Sequence, residues 1–164
     1  MVTAVTTLPL GFDVPDGWTP VDPGQVGAEG AAFVAVRSGP GGEFTANITV
    51  GVRQRPDPAS IAEIAEEAVE GLGRTVAGLE VLSRRPVGGQ AAPGMTQVLR
   101  LRTGEGLDLV QTQVHLTVPG AEPAGRIVLE LACTATPEDA RALTGDFQRF
   151  VGSVHVRHTE GETQ

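Results

Sequence analysis

Between Phe44 and Arg53 the chain alternates strictly. Phe44, Ala46, Ile48, Val50 and Val52 fall on one side, and Thr45, Asn47, Thr49 and Arg53 on the other. A period of two predicts a β-strand with one apolar and one polar face. The period then changes to 3.6: Ile61, Ile64, Ala65, Ala68 and Leu72 make one stripe, which predicts an amphipathic helix over 57–73. Two starts suit it, Asp57 followed by Pro58 or a Ser60/Glu63 capping box, and Gly71 and Gly73 end it. A second helix is predicted after Thr136, where a threonine cap, Pro137 and the acids Glu138 and Asp139 precede the stripe Ala140, Leu143, Phe147, Phe150 and Val151.

Further strands are predicted over 31–38, from Leu79, from Gly94, from Leu107 and over 125–135. Gly88-Gly89 and Gly104-Glu105-Gly106 supply hairpin turns, and the stretch 39–42 another. Connections this short cannot join parallel strands. The opening segment is read as an extended piece broken by Pro15, Asp16-Gly17 and Pro20, with Trp18 plugging one end of the core. The expectation is an α+β fold: an antiparallel five- or six-stranded sheet with two main helices packed on one face. It forms a single domain over 1–154, followed by a polar tail over 155–164.

Composition narrows the function classes. The chain has 164 residues, enough for one ordinary domain, and a formal charge of −8, which opposes binding to nucleic acid or anionic lipid. All 12 basic residues are arginine and tyrosine is absent, so Schiff-base lysine, phosphate-loop lysine and tyrosine general-acid chemistry are excluded. The Ala, Gly, Val and Arg bias resembles high-GC bacteria, actinobacteria in particular. No apolar run reaches the roughly 18 residues of a membrane span. The start shows neither a secretory signal nor a lipoprotein leader, so a cytoplasmic location is expected.

Cys133 is the single cysteine, three residues before the Thr136 cap, and a helix N-terminus can activate a thiol. The same alternation places it with Ile127, Leu129 and Leu131, which favours a core position. A thiol dyad would need a base, yet His115 falls opposite the apolar set of its own strand. His155 and His158 are split between faces by their spacing and lack an accompanying acid or cysteine, so they are read as an ordinary tail and no metal is implied. Glu63, Glu66, Glu67 and Glu70 are read as a solvated helix face, with an acidic docking surface as the alternative. The Asn47-Ile48-Thr49 sequon lies in mid-strand and carries little weight. No catalytic residue and no cofactor is assigned. What remains is the polar sheet face of Asn47, Thr49, Gln111, Gln113, His115 and Glu130, either a hydrated surface or one that receives a partner.

The order of these signals resembles the PsbP-like superfamily, in particular its LpqN/LpqT-like branch and the DcrB/Eag-type chaperone relatives. FDVPDGW (12–18) is similar to that superfamily's F-x-(L/V)-P-x-G-W opening. FTANITVGVR (44–53) followed by a helix resembles the branch's F-x-x-N-(I/V)-x-V strand, and DFQRFVGSV (146–154) resembles its ending. The resemblance spans 8–154 and none of its motifs is catalytic. It implies an α/β sandwich around an antiparallel sheet, with helices covering more of the polar face than periodicity indicates. It also implies a non-enzymatic binding, adaptor or secretion-chaperone role, with a protein partner such as a secreted effector or toxin, and a homodimer as one option. LpqN-type proteins carry a lipoprotein leader that this sequence lacks, which favours a cytosolic relative. A small-ligand-binding domain, and after it a Cys133-dependent enzyme, are the other readings.

Overall fold

The structure, a computed structural model, describes residues 10–28, 30–37, 44–90, 92–118 and 126–156. In chain order the elements are β1 (Leu10–Gly11), β2 (Trp18–Val21), a 3-10 turn (Pro23–Val26), β3 (Phe33–Arg37), β4 (Asn47–Arg55), α1 (Ile61–Gly73), β5 (Gly78–Gly88), β6 (Pro93–Arg102), β7 (Asp108–Val118), β8 (Arg126–Ala135), α2 (Pro137–Ser153) and β9 (His155–Val156). Seven strands form one sheet in the order β2-β3-β4-β8-β7-β6-β5, all neighbours antiparallel, while β1 pairs with β9 separately. The fold is therefore α+β with an antiparallel sheet and two main helices, as the patterning predicts. The seventh strand is β2, which the turn-like FDVPDGW concealed. Pro20 is accommodated because β2 is an edge strand, where a missing N–H breaks no ladder on its outer side.

The pairing Val50↔Leu131↔Val114 sets the register of the centre and sorts the side chains into two faces. One face carries Ile48, Val50, Leu129, Leu131, Cys133, Ala135, Val114 and Val118, and α2 closes over it with Leu143, Phe147 and Phe150. Phe150 is 1 % exposed. Its ring lies 5.2 Å from Phe12 and 6.2 Å from Phe33, centroid to centroid, a packed aromatic trio. Trp18 plugs the β2 end of this core as predicted. Its Nε1 donates to Asp146 Oδ2 of α2 at 3.0 Å, and the guanidinium of Arg37 lies over its ring. Gly17 before it takes φ +89°, and a Cβ there would run into the Arg37 guanidinium.

The helices do not share a face. α1 lies on the opposite side of the sheet, over a second apolar cluster of Leu99, Leu101 and Leu109 joined by Val69, Leu72, Leu79, Leu107 and Phe44. This corrects the expectation of two helices on one face, and Phe44 goes with α1 rather than with Ile48 and Val50. A stripe of Ile64, Ala65 and Leu72 shows that α1 must be covered, but not by which side of the sheet. Helices on both sides are what the family resemblance implied. Within α1 the Ser60/Glu63 capping box forms in both directions, at 3.1 and 2.7 Å, and Asp57 is left for another task.

Among the described residues no helix is long and apolar enough to cross a membrane. Replacing Phe150 by alanine would remove the centre of the α2 contact. Such truncations cost about 3–5 kcal/mol, so urea unfolding of Phe150→Ala should show a large fall in midpoint; a change under about 1 kcal/mol would mean that α2 packs loosely.

Candidate functional site

All six polar residues singled out by the alternation lie on the α1 side of the sheet. Asn47 stands opposite Thr134, Thr49 opposite Ala132, Gln111 opposite Thr134, Gln113 opposite Ala132 and His115 opposite Glu130. They do not form one hydrated surface, because α1 covers part of the face, and they divide into two groups.

The first group is consumed by the fold. Gln97 of β6, fully buried, donates from Nε2 to the Ala65 carbonyl of α1 at 3.0 Å and to Gln113 Oε1 at 2.7 Å. Gln113 donates to Gln111 Oε1 at 2.6 Å, and Gln111 donates to Thr134 Oγ1 at 2.8 Å. At the other end Arg84 Nε donates to Gln97 Oε1 at 2.7 Å, while its Nη1 pairs with Glu66 of α1 at 2.9 Å. Each amide is satisfied only through its neighbours, which is how polar groups are tolerated under a helix. Gln97 was missed by the sequence reading. Its signal was a single polar side chain among Met95, Leu99 and Leu101 at period two.

The second group stays open. Thr49, Gly51, Gln113, His115, Glu130 and Ala132 floor a cavity of about 240 Å³, walled by Gly30 and Ala31 before β3 and by Ala68 of α1. His115 is only 2 % exposed, which corrects its placement on a wet face, and its Nδ1 has no hydrogen-bond partner. Burial pushes its pKa down to about 4, with the charges of Arg53 and Arg84 acting in the same direction, so the ring is neutral at pH 7. Burial also raises the pKa of Glu130. It pairs with Arg53 Nη1 at 3.5 Å, a long contact to a side chain that is 55 % exposed. The cavity thus presents a neutral imidazole and a poorly compensated carboxylate side by side.

α1 is held over this face by a clamp that the sequence did not reveal. The buried Arg55 at the end of β4 binds Asp57 through Nε and Nη2 at 2.9 and 2.8 Å, and Glu67 of α1 through Nη1 and Nη2 at 2.9 and 3.1 Å. The guanidinium hydrogen bonds bring the Asp57 carboxyl down to about 2 and lower that of Glu67. Arg126 donates to the carbonyls of Arg55 and Asp57, closing the connection from outside. The Glu63, Glu66, Glu67 and Glu70 row is therefore not simply solvated: Glu66 and Glu67 reach back to arginines of the sheet. Along its outer side it lines an open depression together with Asp57.

Cys133 stands on the other face, opposite Ile48 and Thr112, inside the α2 core. Burial, aided by the Asp146 charge, pushes its thiol up to about 12. It points away from His115, as the alternation predicts. His158 lies outside the described residues, and among those described no cluster of His, Cys, Asp and Glu could hold a metal.

No family model matches this chain. No curated protein matches it either. Solved structures do. The chain is similar to LpqN of Mycobacterium tuberculosis, described as involved in cell envelope biogenesis, at 13 % identity over 91 % of this chain and 83 % of that one, with a TM-score of 0.69. It is similar to the cyanobacterial PsbP (CyanoP) of Synechocystis sp. PCC 6803 at 16 % identity, covering 93 % and 95 % of the two chains, TM-score 0.60. It is also similar to the Ran-binding protein Mog1p of Saccharomyces cerevisiae at 17 % identity, covering 90 % and 89 %, TM-score 0.57. The chain has the PsbP-like, LpqN-like fold; at these identities the fold is what is shared.

Two outcomes follow from the buried groups. Cys133 should resist alkylation near pH 7 until the protein unfolds, as read by mass spectrometry; rapid selective labelling of the folded chain would contradict its place in the core. For His115, the unfolded imidazole takes up a proton below about 6.5, whereas the folded one waits until about 4. The unfolded state therefore binds more protons in that window, and stability should fall as pH drops from 6.5 to 4, by about 3 kcal/mol. Glu130, with its raised pKa, acts in the opposite sense above 4.5. Comparing wild type with His115→Leu in urea across this range isolates the imidazole. Equal slopes would show that His115 protonates in the folded state.

Proposed function

We propose that this chain is a non-enzymatic protein-binding or adaptor domain that receives a segment of its partner in the open half of the α1 face. One observation carries the reading. Beside α1 the sheet keeps a recess whose polar groups, His115 and Glu130, are withdrawn from water without being fully paired. Buried polar groups of this kind represent interaction energy held in reserve. Size separates this reading from a small-ligand domain: about 240 Å³ lies below the roughly 300–1,000 Å³ usual for ligand and cofactor pockets, and suits one or two side chains. That Mog1p, which shares the fold, is a Ran-binding protein supports the view that this scaffold can serve protein recognition. Thr49, His115 and Glu130 are the contact residues of the proposed face. Asn47 lies at its margin, while Gln111 and Gln113 shape it from beneath α1.

In its finer form the proposal is a chaperone-like domain that holds a secreted effector or toxin, acting in the cytoplasm as a single unit over 1–154.

Gly51 gives the test. It lies in extended backbone, where the atoms nearest to a Cβ would be the Glu130 side chain and carbonyl, none closer than 3.6 Å, so Gly51→Leu should fold and fill the recess. Wild-type protein purified from its native host should retain a stoichiometric protein that Gly51→Leu loses, with melting temperatures within a few degrees. Retention by Gly51→Leu would move the interface elsewhere. A rise in melting temperature caused by lysate metabolites, with no protein retained, would favour the small-ligand reading.

A further inference from the structure

The partner that would fill the recess can be specified further by charge. Among the described residues Glu130 is the only carboxylate lining it, and its side chain is 29 % exposed. The other arginines near the recess are taken: Arg55 by Asp57 and Glu67 at 2.8–3.1 Å, and Arg84 by Glu66 and Gln97. Among the described residues the arginine that pairs with Glu130 is Arg53, from the rim, at 3.5 Å and more than half exposed. The protein thus brings a guanidinium to this carboxylate but does not seat it, since charge-assisted N–H···O contacts close to about 2.7–2.9 Å.

The remaining lining fits the same kind of guest. Beside the carboxylate stand the Thr49 hydroxyl, which can accept a hydrogen bond, and the His115 ring, which is neutral and adds no competing positive charge. Gly30, Ala31, Gly51 and Ala68 keep the walls low enough for a long side chain to enter. The net charge of −8 favours approach of a basic segment.

We propose that the recess is a receptor for the head of an arginine or lysine side chain carried by the partner, which seats on Glu130 and displaces Arg53. The inference rests on the protein-binding reading above and names the chemistry of the residue that enters. Burial raises the pKa of Glu130 despite the charges of Arg53 and Arg55, and a seated cation would favour its ionised form.

The test is a calorimetric titration of the whole chain with N-acetyl-arginine methylamide, N-acetyl-lysine methylamide, the neutral isostere N-acetyl-citrulline methylamide, and methylguanidine. The cationic amides should bind and the citrulline amide should bind at least about tenfold more weakly. Glu130→Gln, nearly isosteric, should lose the arginine affinity by a similar factor. Arg53→Ala, which frees the carboxylate, should tighten binding about threefold. A merely structural role for either residue would not produce opposite shifts. Both variants are checked by melting temperature, and since Arg53 is exposed its variant stays informative even if Glu130→Gln unfolds. Equal binding of arginine and citrulline amides, or weaker binding by Arg53→Ala, would overturn the proposal, the latter marking an anion site built on Arg53. Methylguanidine binding as tightly as the arginine amide would assign the recess to a free cation and contradict a partner-borne side chain. If a native partner stays bound to Glu130→Gln with unchanged affinity, the cation receptor fails while the protein-binding reading stands.

Discussion

Gln97 sits at the point on which this architecture turns. Its amide, closed off from water, reaches the Ala65 carbonyl of α1 on one side and Gln113 on the other. Apolar contacts alone would leave α1 free to slide along the sheet, because hydrophobic burial is not directional. A buried amide is directional, and losing its partners would leave unsatisfied groups at about 1–3 kcal/mol each. The chain from Glu66 through Arg84, Gln97, Gln113 and Gln111 to Thr134 therefore fixes where α1 lies across four strands. The Arg55 clamp fixes the same helix at its middle through Glu67.

That placement decides which surface remains. α2 covers its face with a continuous apolar core extending to Trp18 and Phe12. α1 is shorter and is seated over β6 and β7, so the β4 and β8 positions on its face, Thr49, Gly51 and Glu130, stay beside it rather than beneath it. The recess is thus a consequence of helix position. It combines rigid walls, a neutral imidazole and a carboxylate with a loose partner. Binding sites on a sheet gain from such support, since groups held in place before binding lose little freedom when a partner arrives.

Much of the fold was legible. Period-two and period-3.6 patterns located both helices and six of the strands, and the Thr136-Pro137 cap located the start of α2. The alternation also assigned Cys133 and His115 to opposite faces. Four features were not legible, each for a physical reason. β2 hides behind turn residues because an edge strand tolerates Pro20. The face chosen by α1 depends on long-range packing with Leu99, Leu101 and Leu109, which local periodicity does not encode. The burial of His115 and Gln97 follows from that choice: Gln97 joins the covered amide network, and His115, expected on a wet face, is closed off beside it. Arg55 was overlooked because an arginine ending a strand reads as solvated, until its two carboxylates are seen to meet it.

The proposed receptor lies beside α1, on its face of the sheet. An amide and side-chain NMR map of the isotope-labelled chain, recorded as an arginine-bearing peptide is added, tests it most directly. Shifts should be confined to Thr49, Gly51, His115, Glu130, Ala132 and the Ala31 and Ala68 walls, with Cys133, Leu143 and Phe147 unmoved. Shifts centred on the α2 face or along the β5 edge, with the recess silent, would contradict it.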